Sequence, residues 1–211
     1  MTTINELHSV AASAPTIENG KVTPPRRRKN ADVRAREHLE PAEVEKLMAA
    51  ARTSGRHGPR DVALVMLMYA HGLRVSEAVS LRWEQVRLDE QQIYVARRKN
   101  GKASTHRLEG RELRALRALK ADSPYVFASE RGGPMTASNV RKLITRLGAA
   151  ADIGFPVHPH MLRHACGYKL VNSGLDTRLI QDYLGHRNIA HTVRYTQLAA
   201  DRFEAVSIFG K

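Results

Sequence analysis

The residues with the most chemical potential lie close together near the C-terminal end, in the run VHPHMLRHACGYKLVNSGLDTRLIQDYLGHRNIAHTVRYT at 157–196. It holds His160, Arg163 and His164, a Gly185–His186 pair, and Tyr195 nine residues after His186. Positions i, i+3 and i+4 share one helix face. His160, Arg163 and His164 therefore project together, and Gly167 continues that face without a side chain. Two imidazoles, a guanidinium and a gap beside them leave room for an anion to approach closely. Upstream, Arg74 stands in Leu73-Arg74-Val75-Ser76-Glu77, and Lys99 and Lys102 stand in Arg98-Lys99-Asn100-Gly101-Lys102.

These residue types suit the displacement of a phosphodiester oxygen by a protein hydroxyl. The transition state gathers negative charge on the non-bridging oxygens, and preorganised cations and hydrogen-bond donors stabilise it. Arginine fits because its planar fork clasps two oxygens and stays charged near neutral pH; Arg74 and Arg163 are the candidates. A lysine on a turn, Lys99 or Lys102, reaches a leaving 5′ oxygen as general acid. Histidine titrates near neutrality and can accept a proton or donate to phosphate, roles open to His160 and His186. Tyr195 makes a sensible nucleophile, since phenoxide is a moderate leaving group and a phosphotyrosine bond keeps the energy of the cleaved bond for rejoining. That chemistry needs no cofactor, neither nucleotide nor metal.

Hydrophobic periodicity indicates how these residues are placed. Met161, Leu162, Ala165, Cys166 and Tyr168 read as the core-facing side of the helix that bears His160, with Cys166 a small buried apolar group. Asp176 as N-cap and Gly185 as C-terminal stop bound a helix with an apolar stripe of Leu179, Ile180, Tyr183 and Leu184, which sets His186 at its exit. Asn188 caps a further helix with Ile189 and Val193 facing inward. Tyr195 falls well away from Val193, so its hydroxyl is expected to be presented rather than buried. The folded part begins near Leu39, where Pro41, Val44, Leu47 and Met48 open an amphipathic helix. Residues 61–70 are apolar almost all round and predict a central buried helix ending at His71–Gly72, after which Ser76 is expected to cap a short helix. Ile93 and Val95 alternate as in a strand, with 104–108 as partner and an Asn100-Gly101 turn between them. Residues 111–120 read as a charged helix, 125–127 as a third short strand and Ala137–Ala150 as a basic amphipathic helix. The fold class is thus mainly α with a small antiparallel β-sheet.

The bulk properties agree with a partner that is a polyanion. The 211 residues carry a formal charge of +13, and 42% are hydrophobic, enough for a core. That charge favours nucleic acid first and an anionic membrane surface second. A single cysteine rules out an internal disulfide and a cysteine-rich zinc site. There is no apolar run of membrane-spanning length and no signal-like N-terminus, so a soluble cytoplasmic protein is expected. Residues 1–35 read as a flexible basic arm, with Arg26, Arg27, Arg28 and Lys29 as its charged block, ahead of a folded part over 36–211. Candidate DNA contacts are that block, Lys102 and Arg141.

The ordered set Arg74, Lys99, His160-x-x-Arg163, His186 and Tyr195 resembles the tyrosine recombinases, the phage integrase family. The stretches HGLRVSEAVSLRW, RRKNGKASTHRL and HPHMLRHACGYKLVNSGLDTRLIQDYLGHRNIAHTVRYT carry the likeness, which runs from about Leu39 to Val206 and is similar to the short enzymes that invert fimbrial promoter segments. The resemblance implies a tyrosine recombinase catalytic-domain fold. It implies that Arg74 and Arg163 bind the scissile phosphate, that Lys99 is the leaving-group acid, that His160 and His186 assist, and that Tyr195 is the nucleophile. Lys99 is preferred to Lys102 because it matches the first position of the family's Lys-x-Gly-Lys turn. A 3′-phosphotyrosine intermediate and a homotetramer on paired DNA sites follow from the same likeness; accessory DNA-bending proteins are compatible with it but are not read from the sequence. Longer members have an N-terminal helical domain that closes around DNA; the stretch before Leu39 is too short for it, and the Arg26 to Lys29 block is its expected substitute.

Other readings exist. His158, His160, His164, His186 and His191 supply imidazoles for a metal, but no Asp, Glu or Cys joins them at ligand spacing and arginines stand nearby. A DNA-binding regulator that cuts nothing has the same charge, and a type IB topoisomerase the same chemistry without paired sites. Arg163 is expected to address the ligand rather than the core, and residues 198–208, with Leu198, Phe203, Val206 and Ile208, to dock on a neighbouring protomer.

Overall fold

The computed structural model describes residues 16–18, 21–23, 36–97, 101–119 and 122–197. The chain divides into two compact units, 1–36 and 37–211. In the first, strands β1 (Thr16–Glu18) and β2 (Lys21–Thr23) pair antiparallel, Ile17 opposite Val22. The Arg26, Arg27, Arg28, Lys29 block lies outside the described residues.

The second unit is built around a helix that has no polar side. Helix α1 (Pro41–Thr53) starts with Pro41, whose fixed φ suits a first turn, and Glu43 accepts the Glu40 N–H at 2.8 Å. It buries Val44, Leu47 and Met48 against α2 (Gly58–Ala70). The middle of α2, from Val62 to Met68, is buried throughout, as its all-round apolar sequence predicts. Helices α4 (Gly110–Arg117) and α6 (Pro159–Asn172) cover its other sides.

The rest of the chain brings chemistry to the exit of α2. Helix α3 (Val75–Val79) begins three residues after Gly72. Ser76 does not cap it: the cap position is Arg74, and the Glu77 carboxylate takes the Arg74 N–H at 2.9 Å, so no serine is needed there. Strands β3 (Val86–Arg87), β4 (Gln92–Val95) and β5 (Ser104–Arg107) form an antiparallel sheet in that order, with Ile93 opposite His106 and Val95 opposite Ser104. The third strand is therefore 86–87, not 125–127; Tyr125 makes only an isolated bridge to Arg82. Helix α5 (Ala137–Ala150) begins at Thr136, whose hydroxyl accepts the Asn139 N–H at 3.1 Å. Helix α7 (Thr177–Leu184) is capped by Asp176 and ends at Gly185 with φ +63°, and Asn188 accepts the Ala190 N–H at 2.9 Å to start α8 (Ala190–Gln197). Ile189 is exposed rather than inward, because α8 turns Thr192 and Tyr195, three residues apart, toward the core. No helix among the described residues is long and apolar enough to cross a membrane, and residues 198–208 lie outside the described part.

The start of α6 is set by a close approach. A Cβ on Gly148 of α5 would lie 2.6 Å from Cβ and Cγ2 of Val157, just before His158 and α6. Gly148→Ala improves helix propensity by about 1 kcal/mol, yet overpacking costs about 1–3 kcal/mol. A lowered melting temperature is expected; a raised one contradicts the contact.

Candidate active site

Two helix ends meet here, and both present carbonyls. Gly72, at φ +56°, turns the chain out of α2, and a Cβ on it would lie 2.5 Å from Cδ2 of Leu184 in α7. The last carbonyls of a helix lack partners within it. Arg163 and Arg97 supply them. Arg163 Nη1 donates to the Gly72 carbonyl and Nη2 to the Leu184 carbonyl at 2.6 Å. Arg97 Nη2 donates to His71 O at 3.0 Å and Tyr183 O at 2.5 Å, and its Nη1 donates to Gly72 O at 3.4 Å. Gly185 is fixed by the same contact, since a Cβ there would fall 2.6 Å from Cγ of Arg97.

Glu77 balances this charge. Its Oε1 accepts from Arg74 Nη1 at 2.7 Å, and its Oε2 accepts from Arg97 Nη1 at 3.0 Å. Burial raises the Glu77 pKa, but the Arg74 N–H and the charges of Arg97 and Arg74 outweigh that and hold it below its ordinary 4.5. Burial, and then the charges of Arg74 and Arg97, push the Arg163 pKa down to about 9, so it stays charged near neutrality. Three guanidinium groups thus face one carboxylate.

The surplus charge borders an open cleft of about 680 Å³, lined by Arg74, Arg178, Gly185, His186, Arg187 and His191 among others. The Arg74 side chain is 30% exposed. His186 Nδ1 lies 2.9 Å from the Thr192 hydroxyl. Burial first, then the charges of Arg163 and Arg74, push its pKa down to about 3. His186 is therefore neutral here and can offer an N–H to an anion without carrying a charge of its own. Another cleft, about 740 Å³, lies among Arg56, Arg60, Lys142 and Arg146 and holds none of these residues.

Tyr195 departs from its expected placement. It is only 2% exposed and does not line the cleft. Its hydroxyl pairs with His164 Nδ1 at 3.0 Å, and its ring meets Tyr168 edge-on at 5.2 Å. A Cβ on Gly167 would lie 2.6 Å from Tyr195 Cε2. The gap at Gly167, read as room for an anion, is thus a slot for the phenol ring. His160 is exposed and stands edge-on to His164 at 4.8 Å, while the His186 ring lies 6.2 Å from that of Tyr195.

The structure therefore brings Arg74, Arg163 and His186 together, with His160, His164 and Tyr195 in an adjoining row of rings. Arg163 is a second correction: at 1% exposure it braces the core through two carbonyls rather than addressing only a ligand. Lys99 lies outside the described residues; Lys102 and Arg141 are exposed. Cys166 is buried as expected, and burial pushes its thiol up to about 12. Sequence reasoning missed Arg97. Two residues past the end of β4, Arg97 continues the alternation of Ile93 and Val95, and all three are buried.

Removing one partner of a buried ion pair costs about 3–5 kcal/mol. Glu77→Gln is therefore expected to lower the melting temperature strongly at neutral pH. The folded-state carboxyl sits below 4.5, so its stabilisation is full above that pH and fades as pH falls through the lower folded value. The gap between parent and variant narrows in acid; an unchanged melting temperature at neutral pH contradicts the balance described.

Residues 37–202 match the model of the Phage integrase family. Type 1 fimbriae regulatory protein FimB of Escherichia coli (strain K12) is 42% identical over 184 residues, covering 83% of this chain and 92% of that protein. Tyrosine recombinase XerD of Ralstonia nicotianae is 38% identical over 178 residues, covering 80% of this chain and 58% of that one. The crystal structure of XerA recombinase superposes with a TM-score of 0.68 at 30% identity, covering 79% of this chain and 62% of that chain. A mostly helical unit with a small three-stranded sheet, a guanidinium-lined cleft and these likenesses agree, and the chain belongs to the phage integrase family, the site-specific tyrosine recombinases.

Proposed function

We propose that this recombinase inverts a DNA segment, with Tyr195 as nucleophile and the Arg74–Arg163–His186 cleft as the phosphate site. The observation that carries this reading is the charge excess beside the cleft: three guanidinium groups, of which Arg74 lines it, stand against one carboxylate, and the neutral imidazole of His186 is part of the lining. An anion is what that charge excess lacks. Arg163 has five N–H donors, two of them on carbonyls, and the remainder are assigned to the phosphate with those of Arg74.

In the reaction Tyr195 Oη bonds to phosphorus and the bond from phosphorus to the 5′ oxygen breaks. The phenol proton passes to an imidazole, His160 being assigned, or to solvent. The leaving 5′ oxygen takes a proton from the hairpin lysine, Lys99 by resemblance, with Lys102 beside it. The products are a 3′-phosphotyrosine and a free 5′ hydroxyl. A partner strand's hydroxyl then reverses each step and reseals the backbone. For the first step Tyr195 must leave the Gly167 slot, which requires α8 to shift.

The remaining assignments rest on charge and likeness. Arg26, Arg27, Arg28, Lys29, Lys102 and Arg141 contact DNA phosphates, with 1–35 as a basic arm and 36–211 as the catalytic domain. Two cuts at each of two sites call for a homotetramer on paired DNA, and accessory DNA-bending proteins are consistent with that assembly. The cytoplasm is the compartment. Inversion is favoured because FimB, whose name marks it as a regulator of type 1 fimbriae, is matched along 92% of its length.

A nicked duplex built from inverted repeats beside the gene tests this. Cleavage near the nick releases the fragment bearing the 5′ hydroxyl and traps the covalent complex. The parent should give a protein–DNA adduct, and Tyr195→Phe should abolish it while retaining a mobility shift. An adduct that persists in the variant removes Tyr195 from its role; binding without any adduct in the parent makes the protein a regulator that cuts nothing.

A further inference from the structure

Behind the arginine cluster lies a second polar network with no role in the steps above. His71, His106 and Glu112 are all buried. His71 closes α2 immediately before Gly72, and His106 sits on β5. Their Nδ1 atoms are 3.1 Å apart. On one side, His71 Nε2 lies 2.8 Å from Glu112 Oε1, and the other Glu112 oxygen accepts the Glu109 N–H at 2.9 Å. On the other side, His106 Nε2 is 2.7 Å from the Ser104 hydroxyl, two residues from Lys102. The His106 ring also stacks on Tyr183 at 3.9 Å. Tyr183 in turn donates its hydroxyl to Ala70 O at 2.9 Å and offers its own carbonyl to Arg97.

One imidazole thus touches the three pieces of chain that have to converge. They are the exit of α2 that presents Arg74, the last turn of α7 that precedes His186, and the strand that follows the hairpin lysines. An apolar side chain would pack against Tyr183 and the sheet, and burying a polar ring instead is costly unless its bonds are made. Burial, and then the charges of His71 and Arg97, push the His106 pKa down to about 3, so the ring is neutral, with one donor and one acceptor. The hydrogen between the two Nδ1 atoms belongs to one ring or the other. In either arrangement the second nitrogen of His106 faces the Ser104 hydroxyl, which can donate or accept. Both contacts are directional: Nδ1 ties β5 to the α2 exit, and Nε2 holds Ser104 at the start of β5, where the chain leaves the hairpin.

We propose that His106 is a positioning residue for departure of the 5′ oxygen: through Ser104 it aligns the hairpin lysine with the cleft. This rests on the proposed role of that lysine as the acid. A general acid contributes about 10²-fold or more, and small misplacements lose much of it.

The test uses two nicked duplexes, one with oxygen and one with sulfur as the bridging 5′ atom at the scissile phosphate. Sulfur departs as a thiolate and needs no proton. Single-turnover adduct formation is measured for the parent, for His106→Leu and for the milder Ser104→Ala. Both variants should lose about 10-fold or more on the oxygen substrate while staying near the parent rate on the sulfur one. The ratio comes from one preparation, so any loss of folded protein cancels. His106→Asn, which keeps a hydrogen-bonding group toward His71, should recover part of the oxygen rate. Equal losses on both substrates overturn the proposal and leave His106 a structural residue. Lys99→Ala and Lys102→Ala run alongside. If sulfur rescues a lysine variant but neither His106→Leu nor Ser104→Ala, positioning is wrong and the lysine assignment stands. If sulfur rescues neither lysine variant, the lysine assignment itself falls and takes this proposal with it.

Discussion

A guanidinium taken out of water costs several kcal/mol unless its donors and its charge are both met. Arg97 and Arg163 are buried, and both direct N–H groups at carbonyls from the exit of α2 and the last turn of α7. Those carbonyls need donors because each stands at the C-terminal end of a helix, where the macrodipole also favours positive charge. Two shortages are thus relieved by one arrangement, and it locks Gly72 beside Leu184. Arg74 and His186, the groups at the cleft, sit two residues beyond Gly72 and Leu184, respectively. Their relative position follows from the two arginines.

The guanidinium groups gathered here outnumber the carboxylate that meets them. Glu77 answers Arg97 and Arg74 directly, while Arg74, Arg178 and Arg187 line the cleft with no carboxylate among its described lining residues. Burial first, and then that surplus, keep His186 neutral and lower the pKa of Arg163. A phosphodiester would oppose both shifts, since a nearby anion favours the charged form of each group. The phenol of Tyr195 lies beside this field but not in it. Its ring is held by Gly167 and Tyr168 and its hydroxyl by His164, one helical turn from the exposed His160. The phenol is thus held where one helix, α8, meets one face of α6.

Features that depend on local spacing could be read directly. The shared face of His160, Arg163 and His164, the stop at Gly185, the buried α2 and the pairing of β4 with β5 all follow from periods of 3.6 and 2 or from a single capping residue. Features that depend on rotation or long-range contact could not. The direction of Tyr195 is set by which side of α8 finds a slot, and that slot is a missing side chain 28 positions earlier, at Gly167. Ser76 lost its capping role because Glu77 serves both the Arg74 N–H and two guanidiniums. His71 and His106 are 35 residues apart, and only the register of the sheet brings them together. Arg163 reads as a ligand group by its face and as a brace by its burial, and the first property hides the second.

The central claim is that the cleft stores positive charge for a phosphodiester. The imidazole of His186 reports on that charge most directly, through nitrogen chemical shifts in an NMR titration of the free protein and of Tyr195→Phe bound to its DNA. In the free protein His186 should stay neutral to well below its ordinary 6.5, toward about 3, and bound DNA should move its titration upward. A free protein in which His186 titrates near 6.5, or a titration that DNA leaves unchanged, contradicts the account.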